Sequence, residues 1–167
     1  MEEQVVKHFI IALFFVSTAH AEYKAEVIHV SDGDTVTIVD QDKARITIRL
    51  SGIDSPEKGQ AYGGKAKAFM KDLIYKKTVT VFPLKKGKYG RTIATVITPD
   101  GQNVSHEMLK AGLTWWFYKY SKDAYLGGLE VQAKRSRTGL WEDSLAIPPW
   151  VYRKANRNYY SKLGGKP

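Results

Sequence analysis

The sequence predicts an α+β fold that is mainly β: a five-stranded antiparallel barrel with three helices. Three observations predict it. Five short segments are rich in β-branched residues or alternate apolar with polar ones. Turn-forming residues separate the first three of them. Three further stretches carry helical spacing or helix-start signals. At 167 residues the chain fits one ordinary domain, and 43% hydrophobic with 26% charged residues supplies a core without wholesale disorder.

Tyr23 to Val30 reads as the first strand, ended by Ser31-Asp32-Gly33, whose Asp-Gly pair is a hairpin signal. Thr35 to Val39 is the second strand. Gln41-Asp42-Lys43 makes the next turn, and Ala44 to Ile53 is the third, with Ile46, Ile48 and Leu50 on one face. Two turns in succession give an antiparallel meander. Ala66, Phe69, Met70, Leu73 and Ile74 follow helical spacing and are expected to pack on the sheet. Strand patterns return at Thr78 to Phe82 and Thr92 to Ile97, joined by the basic loop Leu84 to Gly90. Asn103 is placed to cap a short helix ending at Gly112. A third helix is expected from about Ala124 to Arg137, stopped by Gly139. Short strands with interspersed helices suit a barrel of the oligonucleotide-binding (OB) type. Residues 144–167, with Pro148-Pro149 followed by Arg153, Lys154 and Arg157, read as an irregular basic tail.

Residues 1–21 stand apart. An apolar run from Phe9 to Val16, too short to span a bilayer, precedes Ala19-x-Ala21, the small-residue pattern of a leader cleavage site. Export to a bacterial periplasm or the medium is expected, with a mature chain from Glu22 and no stable membrane association. The formal charge is +9; the mature chain, with 25 basic and 15 acidic residues, carries +10. Such a balance attracts polyanions. There is no cysteine, which excludes a disulfide framework, a thiolate metal site and a cysteine nucleophile. His29 and His106 are isolated, so neither a histidine metal cluster nor a catalytic triad is supported.

Three acids fall near one another in this reading: Asp34 opening the second strand, Asp54 and Glu57 just after the third. Antiparallel pairing brings Asp34 and Asp54 to one end of the barrel. Two carboxylates with backbone carbonyls form an oxygen-only site for Ca²⁺ or another hard cation. A third carboxylate slightly further off can position or deprotonate a water. Singly, each acid is also a common turn former. Arg49, five residues before Asp54, and Arg91, after Lys88-Tyr89-Gly90, carry guanidiniums that bind two phosphate oxygens at once. Acids, arginines and a basic loop at one barrel mouth suit phosphodiester cleavage. Tyr118 and Tyr120 could stack on bases; Trp115, Trp116 and Phe117 are expected in packing.

These residues resemble the staphylococcal nuclease (thermonuclease) family. The resemblance runs from about Tyr23 to Trp141 and is carried by four stretches in order: Asp32-Gly-Asp-Thr-Val36, Arg49-Leu-x-x-Ile-Asp-x-Pro-Glu57, Lys88-Tyr-Gly-Arg91, and Glu130-x-Gln-Ala-Lys134 leading to Gly139-Leu-Trp141. It implies a nuclease domain over residues 22–143, an OB-type barrel with three helices. It also implies Ca²⁺-dependent hydrolysis of DNA and RNA by a monomer, leaving 3′-phosphate ends. Asp34 and Asp54 match the metal carboxylates, and Ser55 the position that offers a backbone carbonyl to the ion. Glu57 matches the residue that activates or orients the attacking water, and Arg49 and Arg91 the phosphate clamps. Lys88, Tyr89, Tyr118 and Tyr120 fall where the family binds the nucleotide. The chain departs from the pattern in its short Glu57 to Tyr62 loop, in Gly87 where an acid often stands, and in its C-terminal tail. The competing reading is a binding barrel that holds nucleic acid without cutting it; such a module is expected to lose several of these acids and arginines, and all are present.

Overall fold

The computed structural model describes residues 22–162; the expected leader lies outside the described residues. In chain order the elements are β1 (Tyr23–Val30), β2 (Thr35–Val39), β3 (Arg45–Leu50), β4 (Ile53–Asp54), α1 (Gly63–Ile74), β5 (Thr78–Lys86), β6 (Thr92–Ile97), α2 (Val104–Lys110), β7 (Trp115–Trp116), α3 (Ala124–Arg135) and α4 (Pro149–Lys162). Single 3₁₀ turns lie at Lys88–Gly90 and Gly139–Glu142.

Five strands close a barrel in the order β1-β2-β3-β6-β5. Its ladders are antiparallel except at β3–β6, where Ile48, Arg49 and Leu50 run parallel to Thr92, Ile93 and Ala94. Alternation puts Val27, Val36, Ile38, Ile48, Leu50, Val79, Val81 and Val96 inside, each fully buried. Ala66, Met70 and Ile74 of α1 join this core with Met108 and Leu109 of α2 and Leu126 and Leu129 of α3. Each large aliphatic side chain buried contributes about 1.5–3 kcal/mol, so the core suffices without disulfides. The spacing of α1 therefore works as expected. Asn103 also caps α2, its Oδ1 accepting the Ser105 and His106 amides at 2.9 and 3.3 Å. No helix among the described residues is long and apolar enough to cross a membrane.

Two departures from the expected elements matter for the site. The third strand does not run on to Ile53: it breaks at Ser51-Gly52, where Gly52 takes φ +76. A Cβ there would also lie 2.4 Å from Leu126 Cδ1, so a larger residue would have to push that side chain aside as well. Beyond the bend, Ile53 and Asp54 leave the barrel wall and pair antiparallel with Trp116 and Trp115 of β7. The second departure is the number of helices, four among the described residues. The stretch read as an irregular tail contains α4, which starts at the proline pair: Pro148 O accepts the Val151 and Tyr152 amides at 3.0 and 3.1 Å. Proline fits a first helical turn because the amide it lacks has no intrahelical partner there.

Candidate active site

Gly33 lets the β1–β2 turn approach the rest of the fold closely. A Cβ at this position would stand 2.7 Å from Ala66 Cβ and 2.8 Å from Ser55 Cβ. The turn is set by Asp32, whose Oδ1 accepts the Asp34 amide at 3.0 Å. Asp34 is thereby driven inward and buried, its Oδ1 accepting from Thr35 Oγ1 at 2.9 Å and its Oδ2 from the Ser55 amide at 2.6 Å. Asp54, on β4, is only 2% exposed.

Arg49 ties these pieces together. Register places it opposite Thr35, beside Asp34. Its Nη1 donates to Leu50 O (3.0 Å) and Ile53 O (2.8 Å), bracing the bend at Gly52. Its Nη2 bridges Asp54 Oδ1 at 2.8 Å and Asp34 Oδ2 at 3.1 Å. The sequence expectation that Asp34, Asp54 and Arg49 meet at one barrel end is thus matched in geometry. Ser55 follows directly, its Oγ donating to Thr114 Oγ1 at 3.1 Å. Glu57 stands at the rim on a turn closed by its own carbonyl, which accepts the Gln60 amide at 3.0 Å.

β4 is held in turn by α3. Glu130, nearly buried, accepts the Trp116 amide at 3.1 Å with one carboxylate oxygen and Lys134 Nζ at 2.8 Å with the other. Lys134 then lies over the Trp141 ring, 4.4 Å from its centroid. Glu130, Lys134 and Trp141 therefore act by positioning β7, the partner strand of Asp54.

Burial pushes the Asp34 carboxyl up to about 6, although Arg49, the Ser55 amide and the Thr35 hydroxyl all pull it down; Asp32 adds to the rise. Asp54 is also raised by burial, against Arg153 and Arg49, with Asp34 adding to the rise. Burial thus outweighs the attraction of Arg49 for both carboxylates. The donor set of the pair is oxygen only, which suits a hard divalent cation held by Asp34, Asp54 and neighbouring backbone oxygen. Among the described residues no three His, Cys, Asp or Glu side chains group closely enough to hold a metal by themselves. Backbone and solvent oxygens would have to complete the shell.

The expected substrate groups lie on a different part of the mouth. Arg91 immediately precedes Thr92, the register partner of Ile48, so on the neighbouring parallel strand it lies two residues short of Ile93, the partner of Arg49. It makes no ion pair among the described residues; its Nε donates only to Lys88 O at 3.3 Å. Lys88 is exposed, and Tyr89 is 91% exposed with φ 60. Tyr118 and Tyr120 are exposed too. Trp115 is buried and Trp116 half-buried, in packing as expected.

One residue at the centre of the site was missed from the sequence: Arg153 of α4. Its Nη2 donates to Asp54 Oδ2 at 2.7 Å and its Nη1 to Asp54 Oδ1 at 3.2 Å. The same Nη1 donates to Glu57 Oε1. The available signals were a proline pair that can open a helix and a basic cluster following it.

A closed OB-type barrel that gathers buried acids and arginines at one end defines an enzyme class suited to anionic substrates. Comparison with known proteins makes this specific. Residues 47–143 match the family model described as staphylococcal nuclease homologue. The chain is 41% identical over 133 residues to a protein from Escherichia coli O157:H7 named as an uncharacterized endonuclease, covering 80% of this chain and 86% of that one. It is 36% identical over 150 residues to a micrococcal nuclease of Shigella flexneri, covering 84% and 86%. With the staphylococcal-like nuclease CAN1 of Arabidopsis thaliana it shares 37% identity over 113 residues, 68% of this chain and 35% of that protein. The chain belongs to the staphylococcal nuclease family and is a nuclease, with nucleic acid as its substrate. Nucleases of this family are generally metal-dependent.

Proposed function

We propose that the protein is a Ca²⁺-dependent, sequence-tolerant endonuclease that hydrolyses DNA and RNA and leaves 3′-phosphate ends. The observation that carries the proposal is the buried Asp34–Asp54 pair bridged by Arg49, with Glu57 at its rim. A bound cation supplies charge neutralisation at the phosphate. Asp34 and Asp54 hold it, with the Ser55 carbonyl as a third donor. Glu57 orients the attacking water or takes its proton. Water adds to phosphorus, the bond to the 5′-oxygen breaks, that oxygen leaves with a proton, and the phosphate stays on the 3′ side. Arg91, paired with no acid among the described residues, meets the charge growing on the phosphoryl oxygens. Arg49 has both Nη groups engaged within the protein, by three hydrogen bonds and an ion pair to Asp34, and offers phosphate its Nε. Lys88 and Tyr89 hold the phosphate and nucleoside next to it, while Tyr118 and Tyr120 offer faces for bases. Contacts of this kind carry little base information, which supports sequence tolerance.

Plasmid nicking by the purified protein in Ca²⁺, Mg²⁺ and chelator, with end mapping of the products, tests this reading. Cleavage in Ca²⁺ alone, with 3′-phosphate ends, is expected. Equal cleavage in chelator, or 5′-phosphate ends, overturns it. We further assign residues 1–21 to a cleaved export leader and the mature monomer to the periplasm or medium, on the strength of the Phe9 to Val16 run and Ala19-x-Ala21. N-terminal sequencing of the expressed protein should begin at Glu22.

A further inference from the structure

α4 reaches into both surfaces that the proposed reaction needs. Arg153 holds both oxygens of Asp54 and one of Glu57, joining the carboxylate assigned to the cation and the one assigned to water. A cation on Asp54 would sit about 2.3–2.6 Å from its oxygen, where the Arg153 nitrogen already stands 2.7 Å from Oδ2. A divalent cation and a guanidinium held on one buried carboxylate at such distances repel strongly, so each weakens the binding of the other. One turn earlier, Trp150 stacks on Phe117, centroids 5.5 Å apart and planes within 8°, and meets the edge of Tyr118 at 5.9 Å. Tyr118 is one of the two tyrosines assigned to bases.

The anchoring is light elsewhere. Gln60 Nε2 donates to Ile147 O at 2.6 Å just before the helix, and Tyr152 is half-buried against the Gly59 to Tyr62 turn. Val151, Lys154, Ala155, Arg157 and Asn158 are exposed. Arg153 and Glu57 are each 37% exposed, so their ion pair is partly screened and open to competition.

We propose that α4 is an autoinhibitory plug: Arg153 stands in for the cation and Trp150 for a base, so docking of the helix and loading of the site oppose each other. This rests on the reading of Asp34 and Asp54 as the cation seat. Because the coupling is reciprocal, whatever loosens α4 tightens cation binding, and cation binding loosens α4.

Calorimetric titration of the full chain with Ca²⁺ alone, without nucleic acid, reads the first half. Arg153→Ala is expected to bind Ca²⁺ at least tenfold more tightly than wild type. Trp150→Ala, which changes no charge and touches no acid, is expected to tighten it several-fold, separating displacement of a helix from removal of a charge. Amide hydrogen exchange on the wild-type protein reads the second half: saturating Ca²⁺ should speed exchange across residues 149–158 at least tenfold while the barrel strands stay protected. Unchanged or weaker Ca²⁺ binding in both variants, or unchanged exchange in α4, overturns the plug. Failure of wild type and both variants to take up Ca²⁺ at all overturns the cation seat together with it. Ca²⁺ uptake indifferent to α4 overturns the plug alone.

Discussion

The two halves of the barrel mouth are built differently. On one side Asp34, Asp54 and Arg49 are cross-linked by hydrogen bonds and buried, with Arg49 only 13% exposed. On the other, the Lys88–Gly90 turn carries exposed side chains, a left-handed Tyr89 and an Arg91 whose side chain, among the described residues, bonds only to Lys88 O. The first half is fixed by folding itself and takes on desolvation cost. The second contributes little to folding and is left for substrate. Substitutions should therefore separate cleanly into those that change turnover alone and those that also change stability.

The largest separation is expected at Arg91. Arg91→Ala should lower turnover by about 10³-fold or more, the loss typical of removing a transition-state donor, with an unchanged melting temperature. Nicking within tenfold of wild type would remove that loop from catalysis. Glu57→Gln, at the border of the two halves, should lose about 10²–10³-fold in hydrolysis while DNA binding, measured by anisotropy, persists. Unaltered hydrolysis there dismisses Glu57 from the mechanism.

Asp34→Asn tests the buried half through stability. In chelator at pH 8 it should stabilise the fold by about 3 kcal/mol, since burial lifts the carboxyl from 3.8 to about 6 and each unit is worth about 1.4 kcal/mol. Asp34 holds its proton more tightly folded than unfolded, so the wild-type protein loses stability as pH rises from 3.8 to about 6. The advantage of the variant should vanish below pH 4, as denaturant melts across that range will show; a destabilised variant at pH 8 contradicts this account of the pair. The smallest effect belongs to the exposed tyrosines. Tyr120→Ala should raise KM about tenfold with kcat retained, the size of one lost stacking contact, and a fall in kcat instead would place it closer to the chemistry.

Legibility in the sequence followed the same division between local and distant causes. Alternation in β1 and β2, the apolar spacing of α1 and the Asn103 cap are written within a few residues, and each was readable. Asp54 and Arg49 are five residues apart, so their meeting across a bend could be anticipated even though the bend was not. The run of Ile46, Ile48, Leu50 and Ile53 suggested one continuous strand, and only the left-handed Gly52 and Leu126 above it explain the break. Parallel closure of β3 on β6 joins segments more than forty residues apart, and no periodicity records such a partner. Arg153 lies 99 residues from Asp54, in a stretch whose prolines and charges resemble a loop until the helix they open is seen in place.

Asp54 is mounted on a ladder of two residues, Ile53 and Asp54 against Trp116 and Trp115, outside the closed barrel. The ladder is short but not loose: Ile53, Asp54 and Trp115 are 1%, 2% and 5% exposed, and Arg49 braces the chain through Leu50 O and Ile53 O. Opening it would bring apolar surface into water together with the site. Heating should then abolish activity and unfold the barrel in a single event.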